Sequence, residues 1–314
     1  MATFSANGVN LYYEETGEGF PLVWSHEFAG NYPSWDPQVK FFSRRYRVIT
    51  YSARGYPPSD VPEDPDAYSQ DLVVEDLYLL LRHLRIDEAY IGGLSMGGTV
   101  ALNFAIAHPE MCRGIIVASA GSGSDDREAF LASAQVVADR LLSEGMAAVA
   151  HDYARGEARL QFLRKDPKGW QVFHDELAAH SALGSSLTFQ GFQMKRPTVY
   201  ALEESLRQLQ VPTLIMIGDE DEPCVESAAF MKRRIPHAGL SVFPQSGHTI
   251  NLEEPDLFNR TVLDFLTAVE AGKWGSRGFT TEARRTRRTD TKLSAPSTSP
   301  RNFSRGRNIG LAPG

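Results

Sequence analysis

Short apolar runs and helical apolar patterns alternate along most of the chain. The runs are rich in β-branched and aromatic residues and have the length of buried strands, at residues 8–15, 21–25, 46–51, 89–94, 113–118, 213–217 and 239–243. Strands that alternate with helices are typical of a mostly parallel sheet covered by helices on both faces. The pattern therefore predicts an α/β fold.

Two of the covering helices are marked by apolar residues at helical spacing. The first stripe, between residues 67 and 86, consists of Val73, Leu77, Leu80, Leu81 and Leu84. The second stripe, which follows the helix-starting Pro255, consists of Phe258, Val262, Phe265, Leu266 and Val269. Such spacing places the apolar side chains on one face, so both helices are predicted to pack on the sheet.

The alternation of strands and helices stops between residues 121 and 210, where helical patterns dominate. This divides the body into a core, residues 1–120 and 211–271, and an inserted helical cap, residues 121–210. An insertion between two strands of an open α/β sheet is expected over the carboxyl ends of the strands, where such sheets bind ligands.

Composition narrows the class of protein. Hydrophobic residues make up 42% of the 314 positions and charged residues 23%, which is ordinary for a globular protein. No apolar run reaches the about 18 residues of a membrane span, and the amino terminus lacks the pattern of a secretory signal. We expect a cytoplasmic protein without membrane contact. The two cysteines, Cys112 and Cys224, are expected to be reduced and structural, and no spacing of ligands indicates a metal site.

The charge is distributed unevenly. Residues 272–314 contain ten Lys or Arg and two acids, so their net charge is +8. Because the whole chain has a net charge of −7, residues 1–271 have a net charge of −15. With few apolar residues, this tail is predicted to be disordered. A basic tail can contact nucleic acid, but no aromatic residue lies within its arginine cluster, which disfavours stacking on bases.

A candidate nucleophile lies at the end of the run 89–94. Gly93-Leu94-Ser95-Met96-Gly97 matches G-x-S-x-G, the nucleophile elbow, and it joins a predicted buried strand to a predicted helix. The sharp turn demands small residues on either side of the serine. We therefore predict that Ser95 is the nucleophile of a hydrolase.

A serine hydroxyl needs a base, and chain topology favours His248. This histidine follows the predicted strand 239–243 at its carboxyl end, where Ser95 must also lie, whereas the other seven histidines lie on helices, in the insertion or in less suitable loops. A carboxylate should orient the imidazole. Four acids, from Asp219 to Glu222, follow the strand 213–217, and the order Ser, acid, His agrees with the hydrolase pattern.

With these motifs the body, residues 5–271, resembles the α/β-hydrolase superfamily, in particular bacterial esterases and lactonases such as 3-oxoadipate enol-lactonase. The resemblance rests on the serine motif, on Gly218-Asp219-Glu220-Asp221 and on Ser246-Gly247-His248. It implies that Asp221 is the acid, with Asp219 as a weaker alternative. It also implies an oxyanion hole made of the Phe28 and Met96 N–H groups.

One position departs from the family. The oxyanion loop usually has His-Gly, and this chain has His26-Glu27. Two hypotheses follow: the Glu27 carboxylate lines the pocket and disfavours anionic substrates, or it points to solvent. A second departure flanks Arg54, which we expect to anchor loops beside the site.

The leading hypothesis is hydrolysis of a small carboxylic ester or lactone through an acyl-enzyme, without a cofactor. Two alternatives stay open. Similar proteins with the same triad hydrolyse carbon–carbon bonds of ring-cleavage dienoates, and a protein of this fold can bind a ligand without turnover.

Overall fold

The computed structural model describes residues 2–275, which contain one eight-stranded sheet. The strands are β1 (Ala2–Ala6), β2 (Val9–Thr16), β3 (Phe20–Ser25), β4 (Tyr46–Tyr51), β5 (Ala89–Leu94), β6 (Cys112–Ala118), β7 (Thr213–Gly218) and β8 (Ala238–Phe243). Their order is β1-β2-β4-β3-β5-β6-β7-β8, and β2 alone runs antiparallel to the other seven strands. The predicted mostly parallel sheet is confirmed, with β1 as a strand that the sequence pattern did not predict.

Twelve α-helices lie within residues 2–275. They are α1 (Asp36–Phe42), α2 (Gln70–His83), α3 (Met96–Ala107), α4 (Arg127–Glu144), α5 (Met146–Tyr153), α6 (Leu160–Lys165), α7 (Pro167–Ala178), α8 (Ala182–Thr188), α9 (Glu203–Gln208), α10 (Glu222–Arg234), α11 (Ile250–Glu253) and α12 (Pro255–Glu270). Short 3-10 turns and one π turn, Phe189–Gln193, connect some of them. None of these helices is both long and apolar enough to cross a membrane.

Helices cover both faces of the sheet because its central strands are apolar on both. In β6, Ile115 and Val117 belong to one apolar cluster, while Ile116 and Ala118 belong to another. The first cluster includes side chains of α2, α3 and α10, and the second includes side chains of α1 and α12. Successive strand residues point to opposite faces, so strands buried on both sides carry continuous apolar runs.

The two predicted amphipathic helices, α2 and α12, turn their apolar stripes toward the sheet as expected. Their buried stripe residues are Val73, Leu77, Leu80 and Leu81 in α2, and Phe258, Val262, Phe265 and Leu266 in α12. Helix α2 begins at an N-cap, where the Ser69 hydroxyl accepts a hydrogen bond from the Leu72 N–H at 3.1 Å.

The segment between β6 and β7 contains α4 to α9 and no strand. Within it, α4 packs against α8, and α5 against α7. At the other end of the chain, Trp274 packs edge-on against Phe265 and donates a hydrogen bond to the His237 carbonyl at 2.8 Å. The body therefore extends to Trp274, beyond the expected boundary at residue 271. The rest of the predicted basic tail, from residue 276, lies outside the described residues.

A buried ion pair ties the loop after β4 to α2. The Arg54 guanidinium donates two hydrogen bonds of 2.7 Å to the Asp76 carboxylate, and the two side chains are 2% and 1% exposed. A third hydrogen bond joins Arg54 to the Ala67 carbonyl at 2.7 Å. Arg54 thus anchors loops beside the site, as its sequence context predicts.

Asp76→Asn should destabilise the fold strongly, because it leaves the Arg54 charge buried without a counter-charge. We expect a loss of about 3 kcal/mol or more in the free energy of unfolding, measured by urea denaturation. Asp264→Asn is the matched control. Its pair with Arg260 is exposed on α12, and its loss should stay below about 1 kcal/mol. Equal losses in the two variants would contradict the assignment.

Candidate active site

Loops that follow β3, β5, β7 and β8 bring the predicted site residues to one edge of the sheet. These four strands are parallel, so their carboxyl ends share that edge. Glu27 and Phe28 follow β3, Ser95 follows β5, Asp221 follows β7 and His248 follows β8. This arrangement follows the general rule for ligand sites in open α/β sheets.

Ser95 lies in a strained turn between β5 and α3. Its backbone has φ 54° and ψ −110°, an uncommon conformation for a residue with a side chain. The turn leaves no space for side chains at its glycines. A Cβ atom on Gly93 would lie 2.1 Å from the Gly97 carbonyl oxygen, and a Cβ atom on Gly97 would lie 1.9 Å from the Ser25 carbonyl oxygen. The sequence motif is therefore explained by sterics.

His248 and Asp221 form a hydrogen-bonded pair. The His248 Nδ1 atom lies 2.8 Å from Asp221 Oδ2, and the Asp221 carboxylate is 1% exposed. Because a carboxylate accepts, Nδ1 is the donor of this hydrogen bond, and in the neutral ring the lone pair is then on Nε2. Asp219 has another role, since its carboxylate accepts the Ser246 N–H at 3.2 Å. Of the two aspartates, only Asp221 contacts the imidazole.

Ser95 and His248 line the same cavity, which has a volume of about 870 Å³. Phe28 and Asp221 also contribute to its wall. Within residues 2–275 the Ser95 hydroxyl makes no hydrogen bond, so rotation about its Cα–Cβ bond can direct it toward His248 or toward a ligand. Hydrogen bonds of this type are often completed only when substrate is bound.

The backbone of the loop after β3 is fixed by His26. The ring accepts the Ala53 N–H at Nε2, 3.0 Å, and donates from Nδ1 to the Glu27 carbonyl at 2.6 Å. The contact at Nε2 requires a neutral ring, and burial lowers the pKa of His26 to about 4, although the Glu27 contacts oppose this. The same turn is closed by the Gly30 N–H, which donates to the Glu27 carbonyl at 3.1 Å.

The predicted oxyanion-hole donors, the Phe28 and Met96 amides, are free to bind a ligand atom. Among the described residues, neither N–H donates a hydrogen bond to a protein acceptor. Met96 is the first residue of α3, where the helix dipole favours negative charge. The contact between Gly97 and Ser25 keeps the two loops together.

Glu27 does not point to solvent. It is 2% exposed, and its carboxylate pairs with the Arg159 guanidinium through contacts of 2.6 and 3.3 Å. Arg159 is 5% exposed and belongs to the cap segment. Glu27 Oε2 also lies 4.0 Å from His248 Nε2. The residues that line the cavity include Arg159 but not Glu27.

The cap segment around Arg159 also contacts the histidine loop. The Ala158 carbonyl accepts the His248 N–H at 2.7 Å. Lys165 Nζ lies 3.0 Å from the Ser246 hydroxyl and 2.9 Å from the Glu253 carboxylate. Because these contacts surround the imidazole's own backbone, the cap contributes to the position of His248.

One group of potential metal donors occurs among the described residues, formed by Asp221, Cys224 and His248, whose donor atoms lie within 4.8 Å of one another. The 2.8 Å hydrogen bond already uses Asp221 and His248. Burial raises the pKa of the Cys224 thiol well above its usual value, whereas a metal binds the thiolate. The geometry therefore favours the hydrogen-bonded pair over a metal centre.

The comparison with protein families agrees with this geometry. Residues 21–255 match the model of the alpha/beta hydrolase fold family, about three quarters of the chain. The chain is an α/β hydrolase.

Relatives of this α/β hydrolase include lactonases and esterases. It is 28% identical to 3-oxoadipate enol-lactonase 2 of Acinetobacter baylyi over 263 residues, covering 83% of this chain and 94% of the relative. A solved thermophilic esterase from Thermogutta terrifontis superposes with a TM-score of 0.74 at 27% identity, covering 85% and 97% of the two chains. The enol-lactonase from Burkholderia xenovorans LB400 has the same fold, with a TM-score of 0.75 at 24% identity, covering 85% and 100%.

Arg159 is the site residue that sequence reasoning missed. It lies 132 positions from Glu27, in a short 3-10 turn, Glu157–Arg159, whose surroundings contain several other charges. The only signal was Glu27 itself, since a carboxylate in the oxyanion loop requires a counter-charge if it is buried. That signal did not indicate which arginine supplies it.

The α/β hydrolase should lose stability in mild acid because it buries neutral histidines. His180 is 8% exposed, neither ring nitrogen has a partner among the described residues, and burial together with His26 lowers its pKa to about 3. Unfolded histidine titrates near 6.5. Below that pH the unfolded chain binds a proton that the folded chain does not, so stability present above about pH 6.5 declines as the pH falls.

His180→Leu should therefore reduce the loss of stability between pH 7 and pH 5 by about 2 kcal/mol, measured by urea denaturation at both values. His151→Leu removes a histidine at an exposed position of the cap and is the control, with the pH dependence of the wild type. An unchanged pH dependence in His180→Leu would contradict the prediction.

Proposed function

We propose that this α/β hydrolase cleaves small carboxylic esters or lactones through an acyl-enzyme on Ser95. The observation that carries the proposal is the shared cavity, which is lined both by the strained Ser95 and by His248, whose Nδ1 is bound to Asp221. The relatives named above, lactonases and esterases, support the same reaction class.

In the acylation step, His248 Nε2 takes the proton of the Ser95 hydroxyl while the serine oxygen bonds to the carbonyl carbon of the substrate. Asp221 holds the imidazole in the tautomer that leaves Nε2 unprotonated, and it stabilises the imidazolium that forms. The resulting tetrahedral intermediate carries a negative oxygen. When the carbon–oxygen bond of the alcohol breaks, the imidazolium gives its proton to the leaving oxygen.

The Phe28 and Met96 N–H groups stabilise the negative oxygen. Both are held by backbone contacts before substrate binds, so little reorganisation accompanies the reaction. Each such donor contributes about 3 kcal/mol to the transition state of related reactions. Water then attacks the acyl-enzyme with His248 as base, which releases the acid and restores Ser95.

The cavity suits an acyl group of modest size with apolar character. Its wall includes the aromatic side chains Phe28, Phe130, Tyr153 and Phe189. The Phe28 and Phe189 rings pack together with centroids 4.2 Å apart, which joins the oxyanion loop to the cap. Apolar walls with a few fixed polar groups are typical of small-molecule sites.

Ser95→Ala should lower turnover of p-nitrophenyl butyrate by at least about 10⁴-fold, because it removes the one hydroxyl that the turn after β5 holds in the cavity beside His248. The measurement is the release of p-nitrophenol, together with labelling by a fluorophosphonate probe. Circular dichroism should show an unchanged fold.

Two results would point elsewhere. Ester hydrolysis that persists in Ser95→Ala would contradict the proposal. A wild type that neither hydrolyses esters nor reacts with the probe would favour a ligand-binding protein, and activity confined to a dienoate would favour carbon–carbon bond hydrolysis.

The two aspartates provide a matched test of the acid. Asp221→Asn should lower kcat by about 10⁴-fold, because an amide cannot stabilise the imidazolium or hold the required tautomer. Asp219→Asn should cost less than about tenfold, since Asp219 only accepts the Ser246 N–H. Steady-state kinetics on p-nitrophenyl butyrate distinguishes them, and the reverse order would assign the acid to Asp219.

A further inference from the structure

Arg159 is the one permanently cationic side chain among the described residues that line the cavity. The other charged groups in the wall, apart from His248, are carboxylates: Asp125, Asp126, Glu157, Glu220, Asp221, Glu222 and Glu226. An anionic substrate group would therefore have Arg159 as its only permanent counter-charge in this wall.

The Arg159 guanidinium already has a counter-charge within the protein, the Glu27 carboxylate. Its NH1 and NH2 groups contact the two oxygens of Glu27 at 3.3 and 2.6 Å. Both side chains are more than nine-tenths buried, so water screens this pair little. The ring faces of Tyr153 and Phe173, 4.9 and 5.1 Å from the guanidinium carbon, hold the arginine in place.

A substrate carboxylate would have to compete with a carboxylate that is built into the neighbouring loop. Glu27 is held at a very high effective concentration relative to any free ligand. A carboxylate that approached Arg159 without displacing Glu27 would be repelled by it, as well as by the acids of the cavity wall. The pair therefore presents no net attraction for an anion.

We propose that Glu27 is a specificity-determining residue, which neutralises Arg159 and so restricts the cavity to esters and lactones with uncharged acyl groups. This inference rests on the proposed function. Glu27 acts through Arg159, and its effect is on the choice between substrates.

The test uses two substrates that differ only in the terminal group of the acyl chain, which is charged in one and neutral in the other. Mono-p-nitrophenyl glutarate carries a carboxylate where p-nitrophenyl pentanoate carries a methyl group. The quantity measured is the ratio of kcat/KM for the anionic ester to that for the neutral ester. A ratio is needed because Glu27 lies 4.0 Å from His248 Nε2, so its replacement can change the rate of both reactions.

The wild type should disfavour the anionic ester by at least about tenfold. Glu27→Gln keeps the shape of the side chain and frees the charge of Arg159. It should raise the ratio by about tenfold or more, mainly through a lower KM for the anionic ester. The double variant Glu27→Gln, Arg159→Gln has no free cation and should return to within about threefold of the wild-type ratio.

Glu157→Gln is the matched control. It removes one negative charge from the same cavity wall, but Glu157 is exposed and contacts no arginine in the described part of the chain. In Glu157→Gln the ratio of kcat/KM for the anionic ester to that for the neutral ester should change by less than about threefold. Equal increases in Glu27→Gln and Glu157→Gln, or an increase that persists in the double variant, would overturn the inference.

Different results would contradict the proposed function and the role of Glu27. If wild type does not hydrolyse p-nitrophenyl pentanoate in a Ser95-dependent way, the proposed function fails. If it does, but prefers the anionic ester or keeps its ratio in Glu27→Gln, only the role of Glu27 fails. If circular dichroism shows that Glu27→Gln is unfolded, the same measurement is made on Glu27→Gly, which has the residue usual in the family. The preference of the wild type between the two esters tests the inference without any variant.

Discussion

The close packing of the turn after β5 is the constraint on which the rest of the site depends. The turn holds Ser95 at φ 54° through a hydrogen bond from its N–H to the Ala118 carbonyl of the neighbouring strand, 2.8 Å. A side chain at Gly97 would strike the Ser25 carbonyl at the end of β3. The contact that holds the serine at the cavity wall therefore also keeps the two loops that carry the Phe28 and Met96 amides close together.

The histidine depends on a second set of contacts, made by the cap. The Ala158 carbonyl binds the His248 N–H, and a side chain at Gly247 would lie 2.2 Å from that same carbonyl. Lys165 holds the loop from the other side through Ser246 and Glu253. Core and cap thus each fix one half of the site. Changes in this part of the cap should affect the rate of reaction as well as the fit of the substrate.

Most of the sheet and its covering helices could be predicted from the sequence, because buried strands and amphipathic helices leave periodic apolar patterns. The exception is β1, whose register pairs Phe4 with Leu11 at the edge of the sheet. It is five residues long and contains one large apolar residue, so it lacks the continuous apolar run of the central strands. The packing of Trp274 leaves no periodic pattern either, because it consists of one ring contact with Phe265 and one hydrogen bond to the His237 carbonyl.

Candidate site residues can be predicted where chain order and a local motif indicate them, whereas contacts that depend on long-range charge cannot. Ser95 follows from a motif of five residues, and His248 from topology. Asp221 was distinguished from Asp219 only by resemblance to the family, because both follow the same strand within three positions. The burial of Glu27 depends on its ion pair with Arg159, which lies 132 positions away and which no periodic pattern in the sequence indicates.

Glu27 shows how a departure from a local rule is compensated elsewhere in a fold. A lone carboxylate buried beside the imidazole would cost several kcal/mol and would oppose negative charge in the proposed oxyanion hole. With Arg159 at 2.6 Å, the imidazole instead faces a nearly neutral pair. Either residue alone would leave a buried charge, so the two are expected to change together. The charge of the loop after β3 is therefore balanced by a residue of the cap.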